Sequence, residues 1–250
     1  MIDLSPTTWK SRLYDAYVTS GQALAPGQNV DSPANVFGTR SHYIRSVIAR
    51  YLPENRAARI VDLACGSGAY LYYMRASGYT NVAGVDISPE QIGLAHKLNI
   101  PEAKCRNLVA ELAETRSESI DAILLIDILE HLENHELFEV LDQTFRVLKK
   151  GGICLAHVPN GEGLYGMRVR YGDLTHERAF APRSARQLFR TIGFREVRCF
   201  EERPLVHGLT SLVRRVLWTT GTIAHKLLLA AETGEYAFIL SQNMIVSAHK

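Results

Sequence analysis

Arg59-Ile-Val-Asp-Leu-Ala-Cys-Gly-Ser-Gly68 is the stretch whose reading decides the fold. A short aliphatic run leads straight into two glycines, and Ala69 to Ser77 then reads as a helix that stops at Gly78. Glycines at that junction let the backbone turn tightly and come close to a ligand. Working outward, Asn81-Val-Ala-Gly-Val-Asp86 reads as a second strand. Ser88 as N-cap and Pro89 at the first helical position open the helix after it. Residues 102–107 make a weaker strand, and Ile120 to Ile126 is apolar apart from Asp121. Leu129 to Leu148 reads as one long helix, closed by Lys149-Lys150-Gly151-Gly152, before a strand from Ile153 to Val158. Lysines in a last turn and glycine beyond it are stop signals. Upstream, Tyr43, Ile44, Val47, Ile48 and Leu52 share one helix face, which Pro53 ends. Short strands alternating with helices predict an α/β fold with a mostly parallel sheet covered on both faces.

The 250 residues carry 28 basic and 26 acidic side chains, a net charge of +2, and 46% are hydrophobic. That composition excludes a disordered, collagenous or low-complexity chain. Cys65, Cys105, Cys154 and Cys199 lie far apart with no C-x-x-C pair, which excludes a zinc site built on cysteine spacing and argues against a disulfide framework. The opening MIDLSPTTWKSRLYDAY has no apolar signal region, and no apolar run reaches the roughly 18–20 residues of a membrane span. The expectation is a reduced, cytoplasmic chain, soluble or peripheral to a membrane. Residues 1–36 read as an extended arm in which Tyr14 and Tyr17 either close over a ligand as a lid or anchor the arm on the surface. Residues 151–250 carry 13 basic and 8 acidic side chains. That surplus faces either solvent or an anionic partner, such as a phosphate-bearing substrate or a lipid headgroup.

The cofactor class follows from three positions. Asp86 ends the second strand 20 residues beyond Gly66, where a carboxylate can accept from both hydroxyls of a ribose. A dinucleotide loop wants a third glycine where Leu71 stands. Asp62, just before the loop, would repel a pyrophosphate but suits a cofactor with an ammonium group and a sulfonium centre, S-adenosylmethionine. Val61-Asp-Leu-Ala-Cys-Gly-Ser-Gly68, Val85-Asp-Ile-Ser-Pro89 and Asp127-Ile-Leu-Glu-His-Leu132 resemble the successive motifs of class I S-adenosylmethionine-dependent methyltransferases, over roughly residues 40–200. The resemblance implies a doubly wound, Rossmann-like, seven-stranded sheet within residues 37–250. It implies that Asp62, Ala64, Gly66 and Gly68 surround the methionine part. Asp86 would hold the ribose, Ile87 would pack on the adenine, and the Asn107 side-chain carbonyl would meet the adenine amino group.

Asp127 follows the apolar strand at the mouth where the methyl group should sit, with Glu130 and His131 expected on the first turn of the long helix. Asp173-Leu-Thr-His176-Glu-Arg-Ala-Phe180 offers a second histidine. The segment is similar to ubiquinone-type O-methyltransferases, which carry an E-H pair after the fourth strand. It is also similar to small-RNA 2′-O-methyltransferases, which hold magnesium among E-x-x-E-H and a downstream histidine. Carried over, Asp127, Glu130, His131 and His176 are candidate ligands for magnesium or manganese. Without a metal, His131 and His176 are candidate general bases, with Asp127 beside them. The plainer reading is that Glu130 serves the dipole of a helix start and His131 packs under the loop. His157 and Asn160 are further candidates.

A helix from about Ser184 to Ile192, a strand near Glu196–Phe200 and a last strand from Tyr236 to Ala248 complete the pattern. Between them, residues 208–231 carry an apolar stripe at helical spacing, with Arg214, Arg215, Trp218, His225 and Lys226 off it. Gly221 divides the segment into one helix or two. The stripe is expected to pack on the domain or on a second subunit; the other occupant is a membrane interface. Thr175-His-Glu-Arg-Ala-Phe-Ala-Pro182 and Ser241-Gln-Asn-Met-Ile-Val246 resemble bacterial methyltransferases that modify sugars or surface glycans. The function so implied is methylation of a hydroxyl on a small molecule or saccharide. The alternatives are RNA 2′-O-methylation and a cofactor-binding regulatory module without turnover. Balanced charge and the lack of an aromatic–basic platform argue against nucleic acid.

Overall fold

The computed structural model describes residues 9–22 and 29–250. Parts of the expected arm, residues 1–8 and 23–28, lie outside the described residues. In order along the chain come helices α1 (Trp9–Asp15), α2 (Pro33–Phe37) and α3 (Ser41–Tyr51), then β1 (Ile60–Leu63), α4 (Ala69–Ala76), β2 (Val82–Asp86) and α5 (Pro89–Lys97). They continue with β3 (Ala103–Cys105), α6 (Leu108–Glu114), β4 (Ile120–Ile126), α7 (Asn134–Val147) and β5 (Leu148–Pro159). The last are α8 (Gly166–Arg170), α9 (Pro182–Ile192), β6 (Arg195–Glu201), α10 (Leu209–Thr233) and β7 (Asn243–His249). The strands form one seven-stranded sheet in the order β3-β2-β1-β4-β5-β7-β6. The first five run parallel, and β7 lies antiparallel between β5 and β6. Strand order reverses at β1, so the loops leaving β1, β2 and β4 meet at one edge, where open sheets of this kind bind ligands.

Alternation along the strands sends side chains to two cores. Val61, Leu63, Ile123 and Leu125 face α6, α7 and α9 on one side. Ile60, Leu124 and Leu155 face α3, α4 and α5 on the other. The one acid in β4, Asp121, sits at the far edge, where it takes the Arg59 amide (2.9 Å) and pairs with Lys149 (2.8 Å). Ser88 accepts from the Gln91 amide at the start of α5, and Pro182 opens α9, which ends on left-handed Gly193. Leu71 does fill the third-glycine position, and the close approach is supplied from the neighbouring strand: a Cβ on Gly84 would lie 2.7 Å from Leu71 Cδ1. Gly84→Val is therefore expected to lower stability by about 1–3 kcal/mol through overpacking, read as a lower urea midpoint at unchanged slope. An unaltered midpoint would contradict this packing.

Four expectations are corrected. The arm contains a helix, α1, and is not extended throughout. The long helix from Leu129 is broken: a 3-10 turn covers Leu129–His131, and α7 starts afresh at Asn134, with the Glu133 amide donating to Glu136 (2.8 Å). The cause is the Glu130 carbonyl, which accepts from the Glu177 amide (2.7 Å) of a distant loop instead of from the next helical turn. Lys149 and Lys150 belong to β5, which bends at left-handed Gly151. The final strand begins at Asn243; residues before it are pinned by buried Asn160, whose amide donates to the Ile239 and Ser241 carbonyls. That spends Asn160 on structure.

Residues 209–233 form one helix through Gly221, with its outward apolar side chains uncovered among the described residues. The expected packing of that stripe on the domain is not found.

Candidate active site

The loops at the switch point enclose a cavity of about 340 Å³. Its floor is the turn after β1. Ala64, Gly66 and Gly68 all have positive φ (63°, 55° and 86°), which curls the backbone around the cavity instead of across it. Asp62, at the end of β1, is 1% exposed, and its Oδ1 has no hydrogen-bond partner. Burial, with Asp86 and Asp127 nearby, drives its pKa well above the carboxylate range. A buried carboxyl oxygen left unpaired in a cavity wall is a costly arrangement unless a cationic ligand completes it.

Asp86 ends β2 twenty residues beyond Gly66. Its two oxygens accept from the Gly66 and Ser88 amides, each at 2.8 Å. Burial raises its pKa and these amides oppose the rise. An ionised carboxylate offers about four acceptor sites, and with the Ile87 amide also acting on it Asp86 keeps capacity for a ligand hydroxyl. Ile87 and Asn107 also line the cavity. The Asn107 side-chain oxygen is occupied as the N-cap of α6, accepting from the Val109 (2.8 Å) and Ala110 (3.3 Å) amides. Its NH₂ group is the part left for a ligand, which alters the expected use of its carbonyl.

The turn after β4 also lines the cavity, through Asp127, Ile128, His131 and Leu132, while Glu130 and His176 lie behind His131 and are not among the lining residues. His131 is buried, and its Nδ1 lies 2.7 Å from Thr175 Oγ1. The Thr175 hydroxyl gives its only proton to Asp173 Oδ1 (2.6 Å), so it must accept from His131 Nδ1–H. His131 is thereby fixed as the tautomer whose Nε2 carries a lone pair. Burial and the neighbouring His176 push its pKa down to about 4, so the ring is neutral near pH 7. His176 donates from Nδ1 to the Val169 carbonyl (3.0 Å), stacks edge-on against His131 with centroids 4.6 Å apart, and points Nε2 at Glu130 Oε1 (4.0 Å). Glu130 is 1% exposed with Oε2 unpartnered, and burial raises its pKa strongly. Among the described residues, Glu130, His131 and His176 are the trio whose ligand atoms lie within 4.8 Å of one another. Asp127, expected with them, is engaged elsewhere.

Asp127 adopts φ 53° and turns its carboxylate to His157 Nδ1, with Arg40 3.9 Å away. Burial opposes ionisation, but His157 and Arg40 hold its pKa down at about 2. His157 Nε2 in turn lies 2.8 Å from Glu202, which also accepts from the Tyr43 hydroxyl. Burial works against the charged ring, yet two carboxylates raise its pKa well above the usual value. His157 is thus an imidazolium clamp that orients Asp127 toward the cavity.

Lys10, Tyr14, Tyr17 and Gln22 line the cavity. Tyr17 and Gln22 donate to Asp173 (2.9 and 2.7 Å), Lys10 pairs with Glu177 (2.7 Å), and the Val18 amide donates to Glu90 (2.9 Å). Tyr14 and Tyr17 therefore line the cavity while the arm is anchored through Tyr17 to Asp173 and through the Tyr14 carbonyl to the Ser88 hydroxyl (3.1 Å). The sequence reading missed Arg40, Asp173, Thr175 and Glu202. Asp173-x-Thr175 was legible as a turn in which a side chain accepts from the amide two residues on. Glu202 gave no local signal.

The methyltransferase domain family model matches residues 36–198. An uncharacterized methyltransferase of Synechocystis sp. is 34% identical over 95 residues, covering 38% of this chain and 44% of that protein. The ubiquinone biosynthesis O-methyltransferase of Dechloromonas aromatica is 34% identical over 99 residues, covering 38% of this chain and 41% of that protein. The matched region spans less than half the length of either relative. A crystal structure of a SAM-dependent methyltransferase from Archaeoglobus fulgidus superposes with a TM-score of 0.64 at 22% identity, covering 84% of this chain and 94% of that one.

Proposed function

The chain belongs to the methyltransferase domain family, of the class I S-adenosylmethionine-dependent fold, and from that premise we propose that it methylates a hydroxyl oxygen on a small molecule or saccharide, with His131 as general base. The observation that carries this reading is one cavity lined by both Asp62, with an unpaired carboxyl oxygen, and His131, whose tautomer leaves Nε2 with a lone pair. In this reading Asp62 meets the ammonium of the methionine part, Asp86 the ribose hydroxyls and Ile87 the adenine. The cofactor supplies an activated methyl on a sulfonium sulfur.

The chain's own work is to align the acceptor oxygen in line with that methyl and to remove one proton. With the cofactor bound, the acceptor oxygen would become strongly acidic as it took the methyl. A weak base such as His131 then suffices to take its proton. Asp127, held by His157 and Arg40, orients the acceptor. The O-methyltransferase relative supports oxygen as the acceptor atom. The test is production of S-adenosylhomocysteine against a panel of hydroxyl and amine acceptors. Turnover confined to amines would overturn the oxygen reading.

A second reading is favoured by the orphaned Glu130 Oε2. Glu130, His131 and His176 are a hard-and-borderline donor set that would hold magnesium or manganese. In that case EDTA is expected to abolish activity and either ion to restore it. Activity indifferent to EDTA would exclude the metal and leave His131 acting directly.

A further inference from the structure

Amphipathic helices normally turn their apolar side inward. α10 does the reverse. Ser211 and Thr222 are its buried residues, and Arg215 and Lys226 point the same way, Arg215 donating to the Pro204 carbonyl (3.3 Å) and Lys226 lying 3.5 Å from Glu201. At 100° per residue the opposite side carries Leu209, Val213, Val216, Leu217, Leu227 and Leu228, which are between 49% and 78% exposed. That sector holds no charged side chain from one end of the helix to the other. An uncovered apolar strip of this length marks an interaction surface.

We propose that α10 docks this chain on the interface of an anionic membrane, lying in the plane of the bilayer with its leucine side down. Two features select that occupant. The helix is cationic, carrying Arg214, Arg215 and Lys226 against Glu232, and Arg214 is exposed beside the strip, where a long basic side chain reaches headgroup phosphates while its stem stays apolar. The area is also wrong for a second copy. A 25-residue helix is about 37 Å long, and a strip about 10 Å wide gives on the order of 800 Å² for a helix pair, below the roughly 1,200 Å² at which specific interfaces begin. No helix among the described residues is long and apolar enough to cross a membrane, which leaves α10 the in-plane arrangement.

The placement has a consequence for access. β6 runs parallel to β5, so α10 follows from the same sheet edge that opens the active-site cavity. Docking there brings that edge to the lipid surface. The inference does not depend on the methyl-transfer reading.

The test is sedimentation of the full chain with vesicles of phosphatidylcholine alone or mixed with phosphatidylglycerol, for the wild type and for a Leu217→Asp/Leu228→Asp variant. Both positions face outward, so the variant is expected to keep its circular dichroism spectrum. The wild type is expected to partition onto the anionic vesicles at least about tenfold better than onto neutral ones, and the variant to lose about tenfold or more of that binding. Wild type left in the supernatant, or a folded variant that binds as well as the wild type, would overturn the proposal. So would light scattering that finds a wild-type dimer split by the two aspartates, with no vesicle binding by either protein.

Discussion

Replacing His131 with alanine is expected to lower turnover by about a hundredfold or more, while S-adenosylmethionine affinity changes by no more than about twofold. The split follows from position: His131 lines the cavity on the turn after β4, apart from the glycine turn after β1, with its Nε2 lone pair free because Thr175 and Asp173 hold the other nitrogen. Thr175→Val tests the same relay more gently. It removes the acceptor for Nδ1–H, so turnover should fall by about tenfold with the cofactor constant again unmoved. The depressed pKa of about 4 adds a pH signature. The neutral, proton-accepting ring is the majority form everywhere above that value, so the kcat profile should show no loss assignable to His131 between pH 8 and about pH 6. Full activity in His131→Ala would remove this residue from the chemistry.

The second large effect concerns Asp62. Asp62→Asn keeps the shape and removes the charge, and it is expected to weaken S-adenosylmethionine binding by about 10–100-fold, the loss of a charge-assisted hydrogen bond. The pH dependence of binding should change with it. Burial raises the Asp62 pKa, so the carboxyl is protonated where an ordinary one would be ionised. A bound ammonium favours the ionised form, so binding releases a proton and tightens as pH rises toward that raised pKa. The asparagine variant has no such proton to release, and its affinity should be flat over the same range. Equal slopes in the two proteins would place the ammonium elsewhere.

Much of this site could be read before the fold was known because its cofactor side is local in sequence. Asp62, Ala64, Gly66 and Gly68 occupy seven consecutive positions, and strand–turn–helix patterning places them at a sheet edge without any long-range information. The acceptor side is built by contacts across the chain. His131 is tuned by Thr175, 44 residues away, and Asp127 by His157 and Arg40. Such pairings exist only after β4, β5 and the arm have come together. The broken helix after β4 has the same origin, since a carbonyl captured by the Glu177 amide leaves no local trace. In α10 periodicity revealed the stripe correctly, but period alone does not say which side meets the protein. Ionic and hydrogen-bonding contacts to Glu201 and Pro204 decided that, turning the polar side inward.

In the proposed function the switch-point cavity takes S-adenosylmethionine through Asp62 and Asp86. Calorimetric titration of the wild type and of Asp86→Ala with S-adenosylmethionine and with NAD tests it most directly. The expected result is saturable, one-to-one binding of S-adenosylmethionine by the wild type, weakened by roughly 1–3 kcal/mol in the variant, and no measurable heat with NAD. Tighter binding of NAD, or an Asp86→Ala variant that binds S-adenosylmethionine as well as the wild type does, would contradict it.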